Sequence, residues 1–165
     1  MNNFTFDKLS FGAEAYITII RSGFKELKKG QSIVILDPDK HNAAHLDKAR
    51  RIADILILPG IAAPELMFYR FVKNLTAVDT LFSGSLKKQT LFRGYTETNE
   101  KVTLSRAKEW YQSFGERYSD RINDQRKKDS LTLNFQKDIC KRWCEENKNL
   151  VDDFLSKLAK IVNNY

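Results

Sequence analysis

Two short apolar runs, Ile33-Val34-Ile35-Leu36 and Ile55-Leu56-Ile57-Leu58, constrain the fold more than any other feature of the chain. Each is uninterrupted, and each meets a proline within two residues: Asp37-Pro38-Asp39 follows the first and Pro59-Gly60 the second. Proline has no N–H to give to a ladder, so both strands are expected to stop there. A strand without polar alternation reads as covered on both faces, which is the situation of parallel sheets. Residues 45–53 have a helical pattern between the two runs. The expectation is therefore a right-handed βαβ unit with Ile33–Leu36 parallel to Asp54–Leu58.

Upstream, Phe4 and Phe6, then Leu9 and Phe11, alternate with polar residues and predict a first strand over Phe4–Phe11 with an irregularity near Asp7. Tyr16, Ile17, Ile20, Phe24 and Leu27 recur at three- and four-residue steps, the spacing of one helix face, before Lys28-Lys29-Gly30 ends it. Downstream, Pro64-Glu65 opens a helix running to Leu75, with proline at its first position and an acid at the positive end of its dipole. Beyond Leu75 the strand signals fade. Ser105–Tyr118 and Leu131–Val162 read as helices, anchored by Trp110, Phe114, Trp143, Leu150, Phe154, Leu158 and Ile161. The expected class is α/β: a small parallel, Rossmann-like sheet with flanking helices over residues 1–78, followed by a helical C-terminal region over 79–165.

A chain of 165 residues with 42% hydrophobic content can build a sizeable core. The formal charge of +7 is spread thinly, and clusters such as Lys87-Lys88 and Arg126-Lys127-Lys128 suit either phosphate contact or a solvated helix face. Both readings stay open. The two cysteines, Cys140 and Cys144, are spaced i,i+4 on one expected helix, which argues against a disulfide framework, and they lack the further ligands of a zinc site. No apolar run approaches the roughly 20 residues of a membrane span, and the first residues lack the pattern of a secretion signal. The cytoplasm is the expected compartment, with no membrane partner.

In an open parallel sheet, ligands gather outside the carboxyl ends of the strands, where this sequence puts Asp37 and Asp39. Two carboxylates one residue apart can converge on a hard cation, and oxygen ligands suit Mg²⁺ or Mn²⁺. The expected chemistry is phosphoryl transfer or phosphodiester cleavage with a metal-activated water. The competing reading makes Asp37 a turn cap and Asp39 a helix cap. Lys40 could meet a phosphate or a leaving oxyanion as a point charge, or be a plain surface lysine. His41 and His45 could reach a metal beside Asp39 from one helical face, and Glu65 could be an outer ligand, although the helix dipole already accounts for it. No serine or cysteine nucleophile arrangement, Walker A loop or dinucleotide loop is present in the sequence.

Ile33-Val34-Ile35-Leu36-Asp37-Pro38-Asp39-Lys40, followed by Leu58-Pro59-Gly60 and Pro64-Glu65, resembles the TOPRIM nuclease domain of OLD-family (overcoming lysogenization defect) ATPases. Arg106-x-Lys108-x-Trp110, Trp143-x-x-x-Asn147, Leu150-Val151 and Phe154 resemble the same proteins' C-terminal region. The resemblance implies that Asp37 and Asp39 are metal ligands and catalytic residues. It also implies a partner ABC-type ATPase, in cis or in trans, and a role in defence against phage. The family's further essential carboxylate is a Glu ending the first TOPRIM strand, commonly before Gly, and the sequence has no Glu-Gly pair. If Phe4–Phe11 is the second strand of that fold, the first strand and its Glu are expected upstream of Met1, since Glu14 falls in the following helix.

Two functions compete on this basis. One is a Mg²⁺- or Mn²⁺-dependent endonuclease module acting on nucleic acid, DNA before RNA. The other is a catalytically silent TOPRIM-like module that assembles with a partner or a second copy of itself through its aromatic-rich C-terminal helices. A small-molecule phosphohydrolase built on the same Asp-x-Asp is a third class.

Overall fold

The computed structural model describes Thr18, Gly30 and residues 32–40, 46–82, 87–118 and 123–164. The expected strand Phe4–Phe11, the helix over residues 13–27, Glu14, His41 and His45 lie outside the described residues, Thr18 excepted. By its internal contacts the chain divides into two compact units, Met1–Ala62 with Asn149–Tyr165, and Ala63–Lys148. The boundary expected at residues 78 and 79 falls inside the second of these.

In the first unit, β1 (Ile33–Leu36) and β2 (Asp54–Ile57) pair in parallel, Ile33 opposite Asp54 and Leu36 opposite Ile57. This is the parallel arrangement expected from the two apolar runs. Leu58 lies one residue past β2, yet its N–H donates to the Leu36 carbonyl at 2.9 Å and carries the ladder to the brink of Pro59. Between the strands, α1 (Leu46–Arg50) is shorter than the stretch 45–53 suggested. Its last carbonyls are taken up by a tightening turn, in which the N–H groups of Ile52 and Ala53 both donate to Ala49. The core joins Val34 and Leu36 of β1 to Leu46 and Ala49 of α1, with Ala53 and Ile55 beneath them. Ile55 and Leu56 point to opposite faces of β2 and both are buried. β1 departs from the expectation of cover on both faces: Val34 and Leu36 face the core, while Ile35, pointing the other way, is 40% exposed. At the opposite end of the sheet the Gly30 N–H donates to the Asp54 carboxylate at 3.0 Å, from a backbone φ of +75° that a glycine adopts without strain.

The last helix, α7 (Lys148–Val162) by residue range, has no fully buried residue. Phe154, Leu158 and Ile161 are half-buried, and Leu150, expected as a buried anchor, is 49% exposed. At 100° per residue Leu150 falls on the edge of the stripe that Val151, Phe154, Leu158 and Ile161 define.

Among its described residues the second unit has helices and no strand: α2 (Pro64–Asn74), a 3₁₀ turn at Thr80–Phe82, α3 (Lys88–Leu91), α4 (Leu104–Gln112), α5 (Phe114–Tyr118) and α6 (Gln125–Glu146), joined by turns and irregular segments. Local chemistry sets the helix starts. Pro64 sits in the first turn of α2, the Thr103 hydroxyl accepts from the Arg106 N–H at the head of α4, and the Asp124 carboxylate accepts from the Arg126 N–H at the head of α6. The core is aromatic. Trp110, fully buried, stacks on Phe92 at 5.3 Å and meets Tyr69 and Phe135 edge-on at 5.2 and 5.9 Å. Its indole N–H donates to the Leu91 carbonyl at 3.2 Å. Trp143 is 6% exposed and meets Phe68 edge-on at 6.2 Å, so both tryptophans are buried as their spacing predicted. The fold is thus mixed α and β, a small parallel pair with a majority of helices.

Candidate functional site

β1 stops because Pro38 cannot donate, and the chain folds at once into a 3₁₀ turn, Pro38–Lys40, closed by the Lys40 N–H on the Asp37 carbonyl at 3.0 Å. Pro38 is buried and pins the turn, while Asp37 and Asp39 on either side of it are exposed. Both carboxylates therefore stand at the carboxyl edge of the parallel pair, the place that the strand-end argument assigned to them. The parallel register sends the Leu58-Pro59-Gly60 turn out from this same edge, with Gly60 at φ +130°, a backbone region that a β-carbon disfavours.

Lys40 is not held away for an incoming phosphate. Its ammonium lies 3.2 Å from the Asp39 carboxylate, with about a third of each side chain exposed. A cation on Asp39 has this ammonium as its immediate competitor. Asp37 and Asp39 supply oxygen donors of the kind a hard divalent cation takes, which fits Mg²⁺ or Mn²⁺, whose remaining positions go to water and phosphate. Among the described residues no group of three or more His, Cys, Asp or Glu is placed to hold a metal ion. His41 and His45 lie outside the described residues. Glu65 belongs to the second unit, where it occupies the first turn of α2 beside the positive end of the helix.

Several charged groups have fixed partners in the second unit, among them Lys88, for which the sequence left phosphate contact and a solvated helix face both open. Lys88 donates to the Lys73 carbonyl at 2.6 Å and to the Leu75 carbonyl, serving as a cap on the C-terminal end of α2. Burial, and then the neighbouring Lys73, hold its ammonium below the usual lysine range. Arg106 lies 4.2 Å over the Tyr95 ring and bonds to Glu97, Glu109 and the Gly94 carbonyl, tying the 94–103 segment to α4. Arg117 covers the same ring at 5.0 Å. Of the three residues that define Arg106-x-Lys108-x-Trp110, then, Arg106 is a clamp, Trp110 is core and Lys108 is exposed. Arg142 bonds to Asp79 at 3.1 Å and Glu146 at 2.8 Å, beside an open cavity of about 380 Å³ lined by Thr80, Leu81, Asp138, Lys141, Arg142 and Glu145. Helical spacing reveals the Arg106–Glu109 contact as an i,i+3 pair and the Arg142–Glu146 contact as an i,i+4 pair, but not the Arg142–Asp79 pair.

No helix among the described residues is long and apolar enough to cross a membrane. The chain matches no family model, no curated protein and no solved structure.

Proposed function

We propose that this chain is a Mg²⁺- or Mn²⁺-dependent nucleic-acid endonuclease module of the TOPRIM kind, with Asp37 and Asp39 as its metal ligands. It works with an ABC-type ATPase of the OLD family, in the cytoplasm and in defence against phage. One observation carries the reading: two exposed carboxylates, one residue apart, stand on the carboxyl edge of a parallel strand pair. A cation held there supplies a water of lowered pKa and neutralises phosphate charge. The chain's own part is to fix the two oxygens, through the buried Pro38 and the 3₁₀ turn, and to offer Lys40 as a charge for the phosphate once the cation has taken Asp39.

The second reading, a silent TOPRIM-like assembly module, is favoured by the Lys40–Asp39 pair and by the lack of a third metal-binding group among the described residues. The two separate by experiment on the full assembly with the ATPase. Asp37→Asn and Asp39→Asn each abolish Mn²⁺-dependent DNA cleavage with an unchanged melting temperature if the first reading holds. Undiminished cleavage in both variants overturns the site. The chain alone, whose sequence holds no Glu-Gly pair, is expected to cleave poorly, and vigorous cleavage by it would show that Phe4–Phe11 is misaligned with the TOPRIM second strand.

A further inference from the structure

The chain's two cysteines lie on α6, one helical turn apart. Residues at that spacing share a helix face with β-carbons about 5–6 Å apart, close enough for two thiols to touch. Cys140 is exposed, Cys144 is half-buried behind it, and neither is in a disulfide. The pair is therefore a convergent, solvent-reached set of two sulfur donors. A tetrahedral zinc site needs more ligands than this, and among the described residues no third His, Cys, Asp or Glu completes one. Soft thiolates select soft ions, and a monovalent d¹⁰ cation is satisfied by two sulfurs in a near-linear arrangement.

We propose that Cys140 and Cys144 form a two-thiolate site for a soft monovalent cation of the Cu(I) class. On binding, two S–H bonds break, two sulfur–metal bonds form, and two protons leave to solvent, with no change of oxidation state. A thiophilic cation displaces the protons itself, which ties its affinity to pH.

The test uses the reduced, full-length chain without oxygen, titrated with Cu(I) in competition with bathocuproine disulfonate. The expected result is one Cu(I) per chain, loss of both thiols to a thiol-reactive dye, and quenching of Trp143, the residue next to Cys144. Cys140→Ser, at an exposed position that leaves the fold intact, lowers affinity about tenfold or more, as does Cys144→Ser. Full dye reactivity of both thiols at equimolar Cu(I) overturns the proposal, and so does undiminished one-to-one binding by the Cys140→Ser, Cys144→Ser double variant.

Discussion

Lys40→Gln separates the two roles that its position allows, competitor for the cation and charge for the phosphate. At its 3.2 Å distance from Asp39 two unit charges attract by about 1.3 kcal/mol in bulk water. Side chains this open to solvent lose part of that to screening and to restricted rotamers, and such pairs contribute about 0.2–1 kcal/mol. A cation that uses Asp39 must overcome this attraction, so removing the ammonium is expected to tighten Mn²⁺ binding by roughly 1.4- to 5-fold. The free Mn²⁺ signal in electron paramagnetic resonance reads the affinity directly, without relying on cleavage. The gain should shrink at high salt, where exposed charges are screened within a few ångströms. Asp39→Asn is the companion variant: it weakens Mn²⁺ binding, and Lys40→Gln added to it brings no further change. In the cleaving assembly Lys40→Gln should then lower the Mn²⁺ requirement while reducing kcat if the lysine also meets phosphate. Unchanged Mn²⁺ affinity in Lys40→Gln, or in Asp39→Asn, would refute the use of Asp39 by the cation.

Two further predictions concern the second unit. Trp110→Phe removes the indole N–H, leaves the buried Leu91 carbonyl unpaired and thins the aromatic stack, at an expected cost of roughly 1–3 kcal/mol. Urea unfolding followed through the remaining Trp143 measures it, and a loss under about 0.5 kcal/mol would contradict the packing described. Asp79 is bonded to Arg142 and to the Leu81 N–H, and the Arg142 hydrogen bond holds its carboxyl below the ordinary 3.8. A carboxyl depressed in the folded state contributes stability that is fully present above its unfolded value and lost as pH falls through the lower folded value. Asp79→Asn should therefore cost about 1–3 kcal/mol at neutral pH and much less at pH below that folded value, as melting curves across the acid range would show. An equal cost at all pH values would mean that the ion pair does not stabilise the unit.

The two strands and their stops were legible in the sequence because the chemistry that makes them is local. Four consecutive apolar residues followed by proline within two positions leave few alternatives, and parallel pairing follows from a helix lying between two such runs. The two carboxylates of the candidate site were legible for the same reason, since a strand end carries its next residues with it wherever it packs. The burial of Trp110 and Trp143 followed from helical periodicity, and so did the apolar stripe of α7. What each residue meets across the fold was decided only by tertiary structure. Ile35 reads like its neighbours, yet its exposure depends on what lies opposite that face of β1. Lys88 and Arg142 look like surface charges until the chain brings the end of α2 and Asp79 to them, over separations of 13 to 15 and of 63 residues. Lys40 is adjacent to Asp39 in sequence, but their 3.2 Å ion pair on the 3₁₀ turn Pro38–Lys40 was not part of the sequence reading. Local sequence determines where a backbone must stop or turn, because sterics and missing donors act within a few bonds. The partner of a long charged side chain is settled by which distant surface arrives beside it.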